Sequence, residues 1–513
     1  MSTKVILTNW SVLKCKYLGS LGAIRQAIDA VVRADKARGV RTRLIRLDVE
    51  ADMMPMDASA VADPRDPRRT KAAVDAVCRA VQPDYVMLLG APDVIPHQDL
   101  INPLAWKDGE ERAWGDLPYA CDVPYSQNIA AFRGPTRVVG RLPGLARGTD
   151  PGCLLEALAI AAEWTPYPPA EYRSYFGLSA HDWTASTQLS LEYVFGSGEH
   201  LFTSPPGGPK WPEEVLGHRS HLVNCHGLHA RPYYYGHLAA DAKPALSAAW
   251  TMGRVRRGTV AAVECCFGAQ LYDPAEAGGQ MGIANAYLAS GAYGFFGSTC
   301  TSYGASAVNG LADLICRFFL THVRLGESLG RAALHARQEF ISFVGTLTPM
   351  AAKTLAQFIL LGDPSVHPVL APSDTHPVPA GADAALPAEA LALRTGRAER
   401  RHRLAARGLA LARATPAATV ARPLAPPAAA RRELEQLAGQ EGMDVGSLHS
   451  YPVRVPRGVR LSRTATPPPD EAQAFHVIAQ DTTPPGSPMR HLAVLEAREV
   501  GGKIVSYSTF HSK

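Results

Sequence analysis

The chain has 513 residues, too many for one ordinary hydrophobic core, so two or three domains are expected. Hydrophobic residues make up 46% and charged residues 19%, which is typical of a globular protein and excludes a collagen-like or wholly disordered chain. The net charge of +5 lies in the tail, because residues 371–513 hold 18 basic and 13 acidic side chains, whereas residues 1–370 hold 34 of each. This distribution argues against nucleic acid as a partner of residues 1–370.

The N-terminus and the cysteines predict a cytoplasmic protein. The opening MSTKVILTNW lacks the charged start and long apolar block of a signal peptide. The most apolar stretch, Ile283–Thr299, contains Asn285 and three glycines, so it predicts a buried helix followed by a buried strand and not a membrane span. Nine cysteines, two of them adjacent, do not suggest a disulfide framework, and a reducing compartment is expected.

Residues 1–165 are predicted to form an N-terminal α/β subdomain. Helical spacing of apolar residues alternates with strand-like runs in chain order: Lys4–Asn9, Gly22–Lys36 (helical), Thr42–Asp48, Thr70–Val81 (helical), Tyr85–Leu89 and Arg137–Gly140. Helices between fully apolar strands imply a parallel sheet that is covered on both faces.

After the proline-rich Thr165–Pro169, residues 170–371 predict a second α/β subdomain. Its apolar strands and helices follow in order: HLVN at 221–224, TVAAVE at 259–264, GFFGS at 294–298, helices at Asn309–His322 and Ser328–Val344, and a strand at Phe358–Leu361.

The tail is predicted to contain a linker and a small domain. Residues 372–430 form a Pro/Ala/Arg-rich linker, and residues 431–513 form a C-terminal α+β domain with a helix near Arg431–Gly439 and strands near Phe475–Gln480, Ala493–Val500 and Lys503–Thr509. Within Leu391–Arg432 there are ten arginines and one acid. That stretch fits a solvated linker, a docking or inhibitory helix, or a contact with nucleic acid or an acidic membrane.

Two strands of the second subdomain end in residues suited to nucleophilic catalysis. HLVN leads to Cys225, His226 and Gly227, and TVAAVE leads to Cys265 and Cys266. Functional groups of an open α/β sheet gather at the carboxyl ends of its strands. A thiol is a strong nucleophile, and an imidazole can hold or move its proton. Backbone N–H groups of the glycine and the cysteine could stabilise an oxyanion, and no metal or organic cofactor is required.

This ordered pair resembles the caspase-like cysteine peptidases and, within them, the gingipain-type family over roughly residues 4–370. Six stretches keep the family's order: KVILTNW, DYVMLLGAPDVIP, GDLPYACDVP followed by RVVGRLPG, LVNCHGLH, VAAVECCFG and LLGDPSVHPV. The resemblance implies an α/β fold, a caspase-like αβα sandwich in two subdomains, to which the small C-terminal α+β unit is added.

The resemblance also implies roles for individual residues. His226 would be the catalytic acid and base, Gly227 an oxyanion contributor, and Cys265 or Cys266 the nucleophile. The family places a small residue before its cysteine, which favours Cys266, and the alternation of a strand lets only one thiol face the cleft. Some related enzymes orient the histidine with an acid, for which Asp182 is the candidate.

The preference for the residue before the cleaved bond (P1) stays open at this stage. Arg-specific members of the family carry an acid in the S1 pocket, in a segment that corresponds to Ala185–Gln188, and no carboxylate occurs there. A different chemistry for the same cluster is a Zn²⁺ site built from Cys225, His226, His229 and one strand-end cysteine.

The expected function is that of an intracellular cysteine endopeptidase that performs limited, regulated proteolysis of a protein partner. The tail, residues 372–513, would act as an inhibitor, an autocleavage site or a docking module. By analogy of fold, bacterial caspase-like proteases of a defence or cell-death pathway are a precedent. The alternative is a catalytically silent caspase-like scaffold whose tail binds a partner.

Overall fold

A computed structural model describes residues 2–238, 241–370, 397–418, 425–454, 473–485, 487 and 489–513. The described strands are β1 Ser2–Thr8, β2 Val40–Arg46, β3 Tyr85–Leu89, β4 Gln98–Ile101, β5 Arg112–Gly115, β6 Val139–Leu142, β7 Tyr175–Ala180, β8 Leu201–Ser204, β9 Ser220–Asn224, β10 His226–Gly227, β11 Tyr233–Leu238, β12 Asp241–Ser247, β13 Val260–Val263, β14 Gly294–Ser298, β15 Tyr303–Gly304, β16 Phe358–Leu361, β17 Ala417–Ala418, β18 Leu448–Arg454, β19 Gln473–Asp481, β20 Leu492–Val500 and β21 Lys503–Ser512.

The described α-helices are α1 Trp10–Lys16, α2 Leu21–Ala37, α3 Glu50–Met53, α4 Pro67–Val81, α5 Ala105–Asp108, α6 Gly152–Glu163, α7 Thr184–Phe195, α8 Glu213–Leu216, α9 Ala248–Thr251, α10 Ile283–Ala289, α11 Leu311–Arg324, α12 Leu329–Val344, α13 Pro349–Gln357, α14 Arg397–Ala414 and α15 Ala428–Gln440. Within this described part of the chain, no helix is long and apolar enough to cross a bilayer.

One large sheet dominates the fold. Its ten strands follow the order β2-β1-β3-β6-β16-β14-β13-β9-β7-β8. Every neighbouring pair is parallel except β14 and β16, which are antiparallel. The predicted α/β class with a mostly parallel sheet is therefore confirmed, and it is consistent with a caspase-like fold. Strands of the two predicted subdomains share this sheet, in which Leu361 of β16 is paired with Arg141 of β6.

The predicted strands and helices form where apolar residues are concentrated. The runs YVMLL of β3 and VAAV of β13 are buried throughout, as strands covered on both faces must be. Helix α4 begins three residues before the predicted Thr70 because Asp66 caps it and accepts hydrogen bonds from the N–H groups of Arg68 and Arg69.

Buried ion pairs connect distant segments of the main sheet. Lys4 of β1 places its Nζ 2.6 Å from carboxylate oxygens of both Asp35 and Asp363. Asp363 belongs to the GDPS segment directly after β16. Its ion pair with Lys4 therefore links the end of β16 to β1, the first strand of the chain. The charge of Asp363 is thereby neutralised inside the core by Lys4.

The C-terminal residues form a second, antiparallel sheet. Its order is β15-β21-β20-β19-β18-β17, and helix α15 packs Leu434 and Ala438 against Ile478 and Leu495. The predicted helix and three strands of residues 431–513 are confirmed, while the assignment of an independent domain stays a prediction. Strand β15 comes from the earlier part of the chain, so β21 pairs with residues about 200 positions before it.

Part of the arginine-rich stretch is a docked helix. Leu404 of α14 packs against Tyr85, Val138 and Leu334, and its carbonyl accepts a hydrogen bond from Gln338 at 3.0 Å. Residues 397–414 therefore form a helix that packs on the rest of the fold, and their assignment to a linker stays a prediction. Residues 391–396 and 419–424 of the same stretch lie outside the described residues.

Candidate active site

The predicted catalytic strand ends lie side by side. Strands β9 and β13 are parallel neighbours in which Val223 is paired with Val263, and the N–H of Glu264 donates to the carbonyl of Val223 at 2.9 Å. At the carboxyl edge of the sheet, His226 follows two residues after the end of β9 and Cys266 follows three residues after the end of β13. This edge is where α/β folds gather functional groups.

Gly227 and Cys266 approach each other too closely for any side chain at position 227. A Cβ there would lie 1.6 Å from the carbonyl oxygen of Cys266. The N–H groups of both residues point at the same acceptor, the main-chain carbonyl oxygen of Lys513, at N···O distances of 3.0 Å from Cys266 and 3.5 Å from Gly227. Two backbone donors that converge on one carbonyl oxygen form the arrangement that stabilises an oxyanion.

The two adjacent cysteines have different surroundings. The sulfur of Cys265 accepts a hydrogen bond from the N–H of Cys225 at 3.3 Å and belongs to the apolar core under the sheet. The sulfur of Cys266 lies at the cleft, 3.2 Å from the N–H and 3.4 Å from the carbonyl oxygen of Ser302. Burial raises the pKa of Cys266 to about 12 and the pKa of Cys265 well above its ordinary range. Each thiol is therefore protonated at neutral pH in this arrangement.

His226 is buried between an indole and a carboxylate. Its ring packs against Trp183 at a centroid distance of 4.4 Å, and its Nε2 lies 3.6 Å from Oδ2 of Asp182. Burial lowers the pKa of His226 and the nearby Asp182 opposes that effect. The structure thus brings Asp182 to the histidine, as the resemblance implies, whereas His181 contacts the carbonyl oxygen of Pro205 at 2.5 Å.

Asp182 is held ionised by two histidines. His237 places its Nδ1 2.8 Å from Oδ2 of Asp182. Burial alone would raise the pKa of Asp182, but the contacts with His226 and His237 outweigh it and lower that pKa to about 2. A carboxylate that is charged at all physiological pH values can orient and polarise a neighbouring imidazole.

Three histidines could hold a cation beside the cleft. The ring nitrogens of His226, His237 and His491 all lie within 4.8 Å of one another. The zinc set considered from the sequence is not the one that the described residues assemble. Cys225 lies in the apolar core, and His229 packs against the ring of Phe267.

A buried acidic pocket lies next to the candidate nucleophile. Nζ of Lys513 is 2.6 Å from Oε2 of Glu264 and 2.6 Å from Oδ1 of Asp313, and none of these three side chains is exposed. Gly304 lines the same pocket, because a Cβ there would lie 2.0 Å from Cε of Lys513. The pocket therefore has the depth and the charge for one lysine side chain.

The charge of this pocket favours a protonated amine. Burial lowers the pKa of Lys513, but Asp313 and Glu264 outweigh it, so the lysine pKa is raised and the amine is a cation. For Glu264, burial and the nearby Asp313 raise the pKa well above its ordinary range, against the opposing effect of Lys513. Without this ammonium ion, two neighbouring carboxyl groups buried away from water would be strongly destabilising.

The main chain that leads to Lys513 lies along the cleft as an extended strand. The N–H of Lys513 donates to the carbonyl of Ser302 at 3.0 Å. The two preceding residues form antiparallel pairs, Ser512 with Tyr303 and His511 with Gly304. Residues 511–513 therefore occupy the cleft in the manner of a peptide that adds a strand to a sheet edge.

The sequence predicts one part of this site and misses another. It places His226, Gly227, Cys266 and Asp182 together, and the structure brings these residues to one cleft. It misses the pocket carboxylates, because Glu264 reads as part of a buried strand and Asp313 as part of an amphipathic helix. The one available signal is the position of Glu264 two residues before Cys266, which puts its side chain on the same side of an extended chain.

Of three comparisons with known proteins, the family model is the one that supports the peptidase interpretation. No curated protein matches the sequence significantly. A solved chain titled "Structure of Protease" is similar with a TM-score of 0.46 and 14% identity, over 99% of this chain and 96% of that chain. Residues 237–369, which include the cysteine strand, match the family model described as Peptidase family C25. That family is the gingipain family of caspase-like cysteine peptidases, so the predicted resemblance is confirmed.

Proposed function

We propose that the protein is a cysteine endopeptidase that uses Cys266 as nucleophile and His226 as acid and base, and that cleaves after lysine. The observation that carries the proposal is the convergence of the Gly227 and Cys266 N–H groups on a single carbonyl oxygen beside the Cys266 sulfur. The family C25 match over residues 237–369 independently supports a peptidase of the cysteine type.

The reaction follows from these positions. His226 takes the proton of the Cys266 thiol as the sulfur attacks the scissile carbonyl carbon, and the developing oxyanion accepts hydrogen bonds from the N–H groups of Gly227 and Cys266. The C–N bond then breaks as His226 protonates the leaving amine. Water, deprotonated by His226, attacks the thioester, and the carboxylic product and the free thiol are released. Asp182 would act as a positioning residue that holds the His226 ring.

Selection of lysine would come from Glu264 and Asp313. Both carboxyl groups lie 2.6 Å from the ammonium nitrogen of the lysine that fills the pocket. An ammonium ion is a compact charge that can be approached from two sides, whereas a guanidinium is larger and planar. Because Gly304 closes around Cε of that lysine, we expect lysine to be preferred over arginine.

A peptide library with every residue at P1 tests the proposal. The assay uses the wild type and the variant Lys513→Gln, so that the lysine already in the pocket does not hide cleavage. We expect cleavage after lysine, its loss in Cys266→Ala, its retention in Cys265→Ala, and a fall of 100-fold or so in kcat/KM in Asp313→Asn, since losing a buried charge partner costs about 3 kcal/mol.

Two outcomes would count against this function. Cleavage that survives replacement of each cysteine in turn would exclude the thiol mechanism. The alternative of a catalytically silent scaffold would be favoured by a second result. In that case no peptide is cleaved, and a lysyl acylating probe does not label Cys266 even in the protein that retains His226.

The setting that we propose is limited, regulated proteolysis of a protein partner in the cytoplasm. A peptidase in that compartment must be restrained, and the occupied cleft supports restraint. Cell fractionation would check the location. A bacterial defence or cell-death pathway remains the precedent by analogy of fold, and identification of proteins newly cut after lysine in cells that express the Lys513→Gln variant would check it.

A further inference from the structure

We propose that strand β21 and Lys513 together form an intramolecular inhibitor, which occupies the substrate cleft in a substrate-like way and keeps the enzyme latent until the strand is withdrawn. The part of this proposal that concerns inhibition of peptidase activity rests on the proposed function. The part that concerns shielding of the Cys266 thiol from reagents in solution does not. The name "C-terminal plug" is used below for residues 511–513.

The plug binds the main-chain groups of the cleft to which a substrate would bind under the proposed function. Its last carbonyl oxygen accepts from the N–H groups of Cys266 and Gly227, and its last N–H donates to the carbonyl of Ser302. Its preceding residues pair with Tyr303 and Gly304 as an antiparallel strand. A peptide that donates, accepts and pairs at these positions excludes any other peptide from them, because the sheet edge has one row of partners.

The lysine side chain fixes the plug in register. Glu264 and Asp313 bind Nζ of Lys513, and the ring of Trp183 lies 5.5 Å from this ammonium. A slip of the strand by one residue would put Ser512 in the acidic pocket and leave two buried carboxyl groups without a cation. Since an unpaired buried charge is strongly destabilising, this register is preferred.

The rest of the C-terminal sheet holds the plug at the cleft. The N–H of Leu492 donates to Oγ of Ser512 at 2.9 Å. Next to it, the ring of His491 lies against the ring of His226 at a centroid distance of 4.9 Å. Farther away, Arg490 donates to the carbonyl of Lys107 at 2.8 Å. Opening the cleft therefore requires β21 to leave β15, and not only the motion of a side chain.

The covalent connection makes the plug an effective competitor. A segment that is tethered next to its own site is present at an effective concentration of about millimolar or more, which a substrate in solution must exceed. Only the fraction of molecules with an open cleft can bind substrate, so the apparent kcat/KM falls by that fraction. The raised pKa of Cys266 agrees with this, because the covered thiol is neutral and weakly nucleophilic.

Alkylation of Cys266 tests the occupancy directly. Iodoacetamide is added to the wild type, to Lys513→Gln and to Lys503→Gln, and modification of Cys266 is followed by peptide mass spectrometry. Lys503 is the matched control, because it is an exposed lysine at the other end of β21. We expect Cys266 to react at least tenfold faster in Lys513→Gln and at the wild-type rate in Lys503→Gln. Equal rates in all three proteins would overturn the proposal.

The same variants separate the proposal from the proposed function. If Lys513→Gln exposes Cys266 but cleaves no lysyl peptide, the plug is real and the peptidase function fails. If the wild type already cleaves as fast as Lys513→Gln, the function holds and the plug is refuted. Because a buried substitution can unfold a sheet, Lys513→Met, which keeps the aliphatic stem, serves as the second variant. Hydrogen exchange of the wild type adds a measurement without mutation, and rapid exchange of the Lys513 amide would contradict a seated plug.

Discussion

At position 227 only glycine fits, because its backbone lies in close contact with the backbone of Cys266. Its Cα faces the Cys266 carbonyl so closely that a Cβ would lie 1.6 Å from that oxygen. Gly227→Ala must push the two chains apart and misplace one oxyanion donor, and we expect kcat/KM to fall by about 10²–10³-fold. Gly22→Ala is the matched control, since nothing lies within 4 Å of the added carbon in helix α2. Unchanged kcat/KM in Gly227→Ala, measured on a lysyl peptide in the Lys513→Gln background, would contradict an oxyanion hole here.

Asp116 lies in the motif GDLPYACDVP and Arg141 in the motif RVVGRLPG, and we expect this pair to contribute to the stability of the fold. Asp116 accepts from Nε of Arg141 at 2.8 Å, from Nη2 at 2.6 Å, and pairs with Nδ1 of His97 at 2.8 Å. Asp116→Asn leaves the buried guanidinium without its counter-charge, so we expect the free energy of unfolding to fall by about 3–5 kcal/mol. Asp122→Asn is the control, because Asp122 is a mostly exposed partner of Arg137 and should matter by about 1 kcal/mol or less. Urea unfolding measures both.

The same pair predicts how stability depends on pH. Burial would raise the pKa of Asp116, but Arg141 and His97 outweigh it and hold that pKa well below its usual range. A carboxyl with a depressed folded-state pKa stabilises the protein above its unfolded pKa of about 3.9, and that stabilisation is lost as the pH falls towards the folded value. We therefore expect the wild type to lose its advantage over Asp116→Asn below about pH 4. A constant difference down to pH 2 would contradict this assignment.

Helix α14 lies in the Arg-rich stretch, for which the sequence allows a docking or inhibitory helix among other interpretations but gives no position in the fold. Gly408 of α14 packs directly against the main-chain carbonyl of Pro135, and a Cβ at this position would lie 2.2 Å from the carbonyl oxygen. Gly408→Ala should therefore loosen the docked helix by about 1–3 kcal/mol, as overpacking does. Gly439→Ala, in helix α15 with open space around it, should instead be neutral or stabilising by up to about 1 kcal/mol. Trypsin cleavage within residues 397–414 measures the docking, and equal cleavage rates of Gly408→Ala and the wild type would contradict it.

Element by element, the sequence predicts eight of the ten strands of the main sheet because their apolar runs are sufficient for burial, but it does not predict β7 and β8. Lys503–Thr509 is predicted as a strand, and β21 indeed begins at Lys503. Its partner β15 has two residues, which is too short for any periodic pattern, so the pairing could not be predicted. The pocket acids come from a strand end and a helix start 49 residues apart, and periodicity gives no information on such long-range contacts.

At the scale of the whole molecule, the cleft is assembled from segments far apart in the chain. Strand β10, which follows β9 of the main sheet, supplies His226, and the segment after β13 supplies Cys266. Helix α11 supplies Asp313, and the residue after β21 of the C-terminal sheet is Lys513. The cleft and the C-terminal sheet are thereby coupled, since a ligand that takes the S1 pocket must displace the residue on which β21 ends. Coupling of this kind is reciprocal, so withdrawal of β21 and binding of a lysyl ligand should favour each other.

A lysyl chloromethyl ketone makes this coupling measurable. The reagent alkylates Cys266 through its sulfur and places its own ammonium between Glu264 and Asp313, so Lys513 must leave. We expect the amides of residues 511–513 to lose their protection against hydrogen exchange by tenfold or more after labelling, which corresponds to about 1.4 kcal/mol or more of lost local stability. Cys266→Ala treated with the same reagent is the control and should keep the protection. If the labelled wild type keeps its protected strand, the acidic pocket and the site of β21 are separate, and the C-terminal sheet does not regulate the cleft.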